Sequence, residues 1–144
     1  MAQSYKTLHD FQSINVGQTM LNIQPAGTSV TLGNAQSGDI NTLNATSGSF
    51  VQLPPPSAGL TFPFLVTATA ASHTITAPAS TLFGAINCAI PTAGSTINVT
   101  NVTGSTVLLT TAGSCVGDRF TLVSDNTNYY VSGTIAKFNG VRFM

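Results

Sequence analysis

The side chains able to move protons, attack carbonyls or hold metals are few: His9, His73, Asp10, Asp39, Asp118, Asp125, Cys88, Cys115 and three Tyr, with no Glu. Hydrolysis of a glycoside by paired carboxyls needs the two held close together. Asp118 and Asp125 flank one expected strand and, at 3.3 Å per residue, would stand about 20 Å apart, which is too far. No nucleophile elbow or comparable local signature accompanies any Ser or Cys. His73 opens a Thr-rich stretch and reads as a half-exposed structural histidine. His9-Asp10 lies in an irregular N-terminal stretch, a poor platform for precise geometry. Asp125-Asn126-Thr127-Asn128 offers oxygen ligands but lacks the glycine and distal Glu of a calcium loop, so it reads as the loop closing a hairpin between 119–124 and 128–133. Cys88 and Cys115 lack a CxxC spacing. They read as two small hydrophobic thiols, with a single disulfide as the alternative. The expectation from this inventory is no catalysis, no metal and no cofactor.

Charge narrows the partners. Only 6% of the 144 residues are charged and the net charge is zero, where about 25% charged is usual. Neutralising phosphates takes clustered Lys and Arg, so a nucleic-acid surface is not expected. A membrane helix needs about 20 apolar residues; the longest apolar stretch, 60–66, is far shorter and is interrupted by Pro63. The N-terminus leads into no apolar run of the kind a secretory leader carries, so synthesis in a cytosol is expected. Polarity comes instead from 22 Thr, 14 Ser and 11 Asn, nearly a third of the chain. Thr and Val enrichment with Gly, Asn and Ser turns favours many short strands.

The elements that would carry these residues follow from that pattern. Residues 1–24 place Tyr5, Leu8 and Phe11 among polar neighbours without a sustained period, and read as an extended arm. The remainder, 25–144, reads as one β-rich domain, with stiff Pro54-Pro55-Pro56 marking an internal boundary or sheet edge. Strand patterns fall at 28–32, 39–43, 49–53, 61–69, 73–77, 83–90, 95–100, 105–110, 119–124, 128–133, 134–138 and 141–144. After the prolines their spacing is that of sandwiches and barrels. The fold expected is all-β: an antiparallel β-sandwich, jelly roll or small barrel with an N-terminal arm. The similar stretches 94–100 and 104–110 read as a hairpin of like strands, since a solenoid needs at least three repeats. Asn139-Gly140 supplies a type I′ turn, which would set Ala136 opposite Phe143 and Lys137 opposite Arg142. Two facing cations are mildly unfavourable, so a partner's carboxylate is one reading of that pair and two solvated side chains the other.

The stretch Gly117-Asp118-Arg119-Phe120-Thr121-Leu122-Val123-Ser124-Asp125-Asn126-Thr127-Asn128-Tyr129-Tyr130-Val131-Ser132-Gly133 resembles a hairpin recurrent in virion surface proteins of tailed bacteriophages, among them head decoration (cement) proteins and some fibre proteins. Residues 48–64, with their prolines and Ala58-Gly59-Leu60, resemble the strand–Pro–Gly–strand entry to such modules. Two positions depart from the pattern: Tyr129 stands where Trp is commoner and Asn126 where Gly is commoner. The resemblance implies a structural protein on the capsid surface, bound to the major capsid protein and commonly trimeric. The alternative it implies is a tail fibre, spike or head-fibre module with a host-surface role. In either case Tyr5, Leu8, Phe11, Lys137 and Arg142 are the expected partner contacts.

Overall fold

The computed structural model describes residues 23–25, 29–68, 72–77, 82–90, 100–104, 106–109, 115–137 and 141–143. Among these residues, twelve strands form two sheets: β1 (Ile23–Pro25), β2 (Ser29–Thr31), β3 (Ile40–Leu43), β4 (Phe50–Gln52), β5 (Thr61–Val66), β6 (His73–Thr76), β7 (Leu82–Ile90), β8 (Thr100–Gly104), β9 (Thr106–Leu109), β10 (Arg119–Ser124), β11 (Tyr129–Lys137) and β12 (Val141–Phe143). Alternation explains their formation. In β5 the inward Phe62, Phe64 and Val66 are buried while Thr61, Pro63 and Leu65 are half-buried, and β10 repeats this with inward Phe120 and Leu122. Successive side chains of a strand point to opposite faces, so one face of each strand joins the core. That core draws Leu43, Phe62 and Leu122 from one sheet and Val51 and Ile75 from the other.

The larger sheet runs β1-β3-β5-β10-β11-β7-β8 and the smaller β12-β9-β6-β4-β2. From β1 to β6 the chain changes sheet at every strand, and the strands it lays down stack in parallel: β1 on β3 on β5, and β2 on β4 on β6. These residues therefore make three successive coils. The ladder continues around the corners, where Leu32 N donates to Gln52 O (2.9 Å), Leu53 N to Thr76 O (2.8 Å), Gly38 N to Thr61 O (2.7 Å) and Thr67 N to Leu43 O (3.1 Å). Beyond the coils, β10 pairs antiparallel with β5 and with β11, and β9 antiparallel with β6 and with β12.

The all-β expectation holds, but several details do not. Half of the ten described pairings are parallel, including β11 with β7, so the antiparallel expectation is corrected. The stretches 128–133 and 134–138 are one strand, β11, as far as Lys137. The Asn139-Gly140 hairpin is also corrected: β11 belongs to the larger sheet, while β12 joins the smaller by pairing with β9. Lys137 and Arg142 are thus not cross-strand neighbours. Likewise β8 and β9 lie in different sheets, and of the hairpin expected from 94–100 and 104–110, residues 94–99 lie outside the described residues. Ile23 and Gln24, assigned to the arm from sequence, lie in β1; residues 1–22, with Tyr5, Leu8 and Phe11, lie outside the described residues.

Two glycines are required by close approach. A Cβ on Gly84 (φ +132°) would lie 2.0 Å from Val131 O, and one on Gly133 would lie 2.4 Å from Phe120 Cβ. Both sit against β10 or β11, which fixes the backbone around the hairpin described next.

Candidate functional site

The two segments of the resemblance meet in space. Strand β5, from the first, pairs with β10, from the second, setting Phe64 opposite Phe120 and Phe62 opposite Leu122. The Phe64 and Phe120 rings stack at 5.3 Å. Above them the 57–60 turn is tied to the β10–β11 turn: Gly59 N donates to Ser124 O and Ser124 N to Leu60 O, each at 2.9 Å. Asn126 has φ +120°, a conformation that favours glycine. Its side chain offsets that strain, because its Oδ1 accepts from Ala58 N at 2.7 Å. Tyr129 is fully buried and its hydroxyl donates to Pro54 O at 2.9 Å. Burial pushes its phenol up to about 12. The triple-proline segment is therefore anchored to the hairpin as well as bounding β4.

Asp118, Asp125 and the Cys88 thiol are engaged with the backbone. Asp118 is 2% exposed; its Oδ2 accepts from Cys115 N (2.8 Å) and its Oδ1 from Ala136 N (2.7 Å), fastening the entry of β10 to the far end of β11. The Cys88 thiol is buried and donates to Ala136 O at 3.6 Å. Asp125 caps the turn: its Oδ1 accepts from Thr127 N and Asn128 N, each at 2.8 Å. Its Oδ2 accepts from the Tyr130 hydroxyl at 2.7 Å. The bond from Asn128, followed by those from Thr127 and Tyr130, holds the Asp125 carboxyl below the usual range, and the same carboxylate pushes the Tyr130 phenol up. The turn read from the sequence as a hairpin loop is one. Among the described residues no cluster of three His, Cys, Asp or Glu is placed to hold a metal.

His73 departs from its expected half-exposure, being wholly buried. Its Nδ1 accepts from Ser49 N (3.1 Å), which fixes the tautomer, so Nε2 carries the proton and donates to Ala68 O (3.3 Å). It thereby pins the corner of the second coil to that of the third. Burial lowers its pKa, with the bond to Ala68 opposing. Both ring nitrogens are occupied by the backbone, which suits a structural peg and not a proton shuttle.

Among the polar side chains that the hairpin shows to solvent stands an apolar row. Register sets Val123 of β10 beside Tyr130 of β11, and Tyr130 beside Phe83 of β7. These side chains stand on the outer face, 41%, 44% and 37% exposed. The Tyr130 and Phe83 rings stack at 6.0 Å with 29° between planes. Further along the same face lies a groove of about 370 Å³ lined by Ile40, Pro63, Leu65, Arg119, Thr121 and Ser132, among others. Sequence reasoning missed this row, since Phe83 is 40 residues from Val123 and only the parallel pairing of β7 with β11 brings it alongside. Lys137 is exposed at the end of β11, away from the row.

No protein-family model, curated protein or solved structure matches this chain. No helix among the described residues is long and apolar enough to cross a membrane.

Proposed function

We propose that this chain is a structural virion protein of a tailed bacteriophage, a decoration protein that binds the outer surface of the major capsid protein as a homotrimer and stabilises the head. The observation that carries the reading is the union of the two resembling segments into one module, through β5 with β10, Tyr129 with Pro54, and Asn126 with Ala58. A second support is the use of His73, Asp118, Asp125 and Tyr129 as backbone partners, which suits a protein that acts by binding. A ligand that binds only the assembled shell stabilises it by mass action, and three linked attachments let modest contacts suffice. Tyr5, Leu8, Phe11, Lys137 and Arg142 are the proposed contacts.

The stacked coils favour a second reading, a fibre or spike module. Parallel coils end in strands, here β1 and β2, that can in principle accept a further coil, as a shaft would require. Copy number separates the two. Quantitative gel analysis of purified virions should give hundreds of copies for a decoration protein, whereas a few dozen or fewer would replace the first reading by the second. Sedimentation equilibrium of the isolated chain tests the trimer.

A further inference from the structure

The outer face of the larger sheet carries a feature that shell attachment does not call for. We propose that the row of Val123, Tyr130 and Phe83, with the adjoining groove, is a binding site for a neutral oligosaccharide.

The platform is preorganised. An exposed tyrosine ordinarily samples several rotamers, and fixing it on binding costs affinity. Here the Tyr130 hydroxyl is held by Asp125 Oδ2 at 2.7 Å, and Asp125 is itself held by two backbone N–H groups. Phe83 stacks against the ring and limits its rotation. With strands about 4.8 Å apart, the three side chains span about 10 Å, the length of roughly two linked pyranose rings. Aromatic faces are electron-rich and so attract the polarised C–H groups on one side of a pyranose. At the rim, Asp125 Oδ2 and the Tyr130 oxygen can accept from sugar hydroxyls. One step along the same face, Thr121 and Ser132, which are cross-strand partners, supply hydroxyls of their own. They also line the groove of about 370 Å³, within the size range of small-molecule sites, so platform and groove form one continuous track.

Charge and area choose the occupant. Among the described residues, the charges along this track are the Asp125 carboxylate beside the row and the Arg119 guanidinium, which lines the groove about 13 Å further along β10 at 3.3 Å per residue, so the track carries one charge of each sign. The carboxylate repels acidic glycans and nucleic acid at the platform, and the balance of charge leaves a neutral ligand favoured. A protein partner is disfavoured by size. The three side chains and the groove together offer on the order of a few hundred Å², whereas a stable interface takes about 800 Å² per partner. The proposal stands apart from the decoration reading, since it applies equally to a shell or a fibre, and failure of the copy-number result leaves it intact.

The test is native affinity electrophoresis of the full chain in gels containing dextran, galactomannan or hydroxyethyl cellulose, with alginate as the acidic control. Retardation is expected in at least one neutral gel and not in alginate. Tyr130→Ala and Phe83→Ala should each reduce it at least tenfold, and Tyr130→Phe, which frees the ring from Asp125, by a few-fold. These residues are exposed, so thermal melts of the variants should match the parent. Should a variant fail to fold, titrating the unsubstituted chain with the retarding oligosaccharide while following tyrosine fluorescence keeps the test open. Absence of retardation in every neutral gel overturns the proposal, as does retardation that survives both alanine substitutions. Retardation in alginate alone also overturns it. If the alanine variants instead abolish self-association in sedimentation, the face is a protein interface and the sugar assignment is wrong.

Discussion

His73 provides the sharpest test of how the coils are held. Its ring bridges the Ser49 amide and the Ala68 carbonyl while showing no surface to solvent. His73→Leu fills similar volume but leaves both backbone groups unpaired inside the protein. Each orphaned group costs about 1–3 kcal/mol, so a loss of about 2–6 kcal/mol is expected at pH 8. The pH dependence gives a second, independent reading. In the unfolded chain the imidazole titrates near 6.5, and burial lowers that value in the folded state. The unfolded state therefore takes up the proton first as pH falls. The full contribution of His73 is present above about pH 6.5 and is lost as pH drops from there toward the folded-state pKa, with a slope of at most about 1.4 kcal/mol per pH unit. No opposing charge interferes: the corner segments 44–49 and 67–72 and the strands β4 and β9 contain no titratable residue. Denaturant unfolding of parent and His73→Leu at pH 8 and pH 5 measures the effect, and His9, common to both, cancels in the difference. The gap between the two proteins should narrow at pH 5. A gap of equal size at both pH values would show that the imidazole is not held neutral between these backbone groups, and His73→Gln offers the same comparison should the leucine variant not fold.

Substitutions at three further positions probe the hairpin and its neighbours. Gly84→Ala would set a methyl 2.0 Å from Val131 O at a φ of +132°; a loss of about 3 kcal/mol or more is expected, measured as a lowered denaturation midpoint or failure to fold. Asp118→Ala strands the Cys115 and Ala136 amides and should cost about 2–6 kcal/mol, with Asp118→Asn falling between, because its amide nitrogen cannot accept. Asn126→Gly relieves the positive φ but removes the bond to Ala58, two effects each of about 1 kcal/mol, so its melting temperature should lie close to the parent's, while Asn126→Ala, which keeps the strain and loses the bond, should melt clearly lower.

Local signals in the sequence led to the strands they flank. The bounds of β10 were readable because Phe120 and Leu122 alternate with polar residues between the Gly117-Asp118 and Asp125-Asn126 turns, and each of those turns closes on neighbouring residues. The parallel coils left no comparable mark. A parallel partner has no connecting turn to announce it, and the intervals here vary: Ile23 meets Ile40, 17 residues on; Ser29 meets Phe50, 21 on; Asn41 meets Phe64, 23 on; and Phe50 meets Thr74, 24 on. No fixed period exists for a repeat search to find. At the other end, Asn139-Gly140 is a strong local signal for a hairpin. It was overridden because β12 gains its pairing from β9 in the opposite sheet, a long-range choice. The candidate binding face was hidden for the same reason. Val123 and Tyr130 belong to one readable hairpin, whereas Phe83 reaches Tyr130 only through a parallel pairing.

The scarcity of charge takes on a specific meaning once these contacts are known. Buried charged groups are costly unless paired or hydrogen-bonded, and this chain keeps Asp118 inside by giving each oxygen a backbone donor. Asp125 and His73 serve in the same way, as anchors for turns and corners. Thr, Ser and Asn carry out similar tasks without charge: the Asn41 amide donates to Asp39 O and Pro63 O, and the Ser37 hydroxyl accepts from Thr61 N, binding the second coil to the third. Bonds of this kind are short-ranged and nearly indifferent to ionic strength, since screening acts on exposed charges separated in solvent. Stability should accordingly change little between 0.05 and roughly 0.5 M sodium chloride at pH 8, whereas the pH titration of His73 should remain visible throughout. A protein whose coils were held by surface ion pairs would show the reverse, losing stability with salt and showing no step tied to His73. Parallel denaturation curves across the salt series, with the histidine-dependent step preserved, would locate the cohesion of the fold in its corners and not in its surface charge.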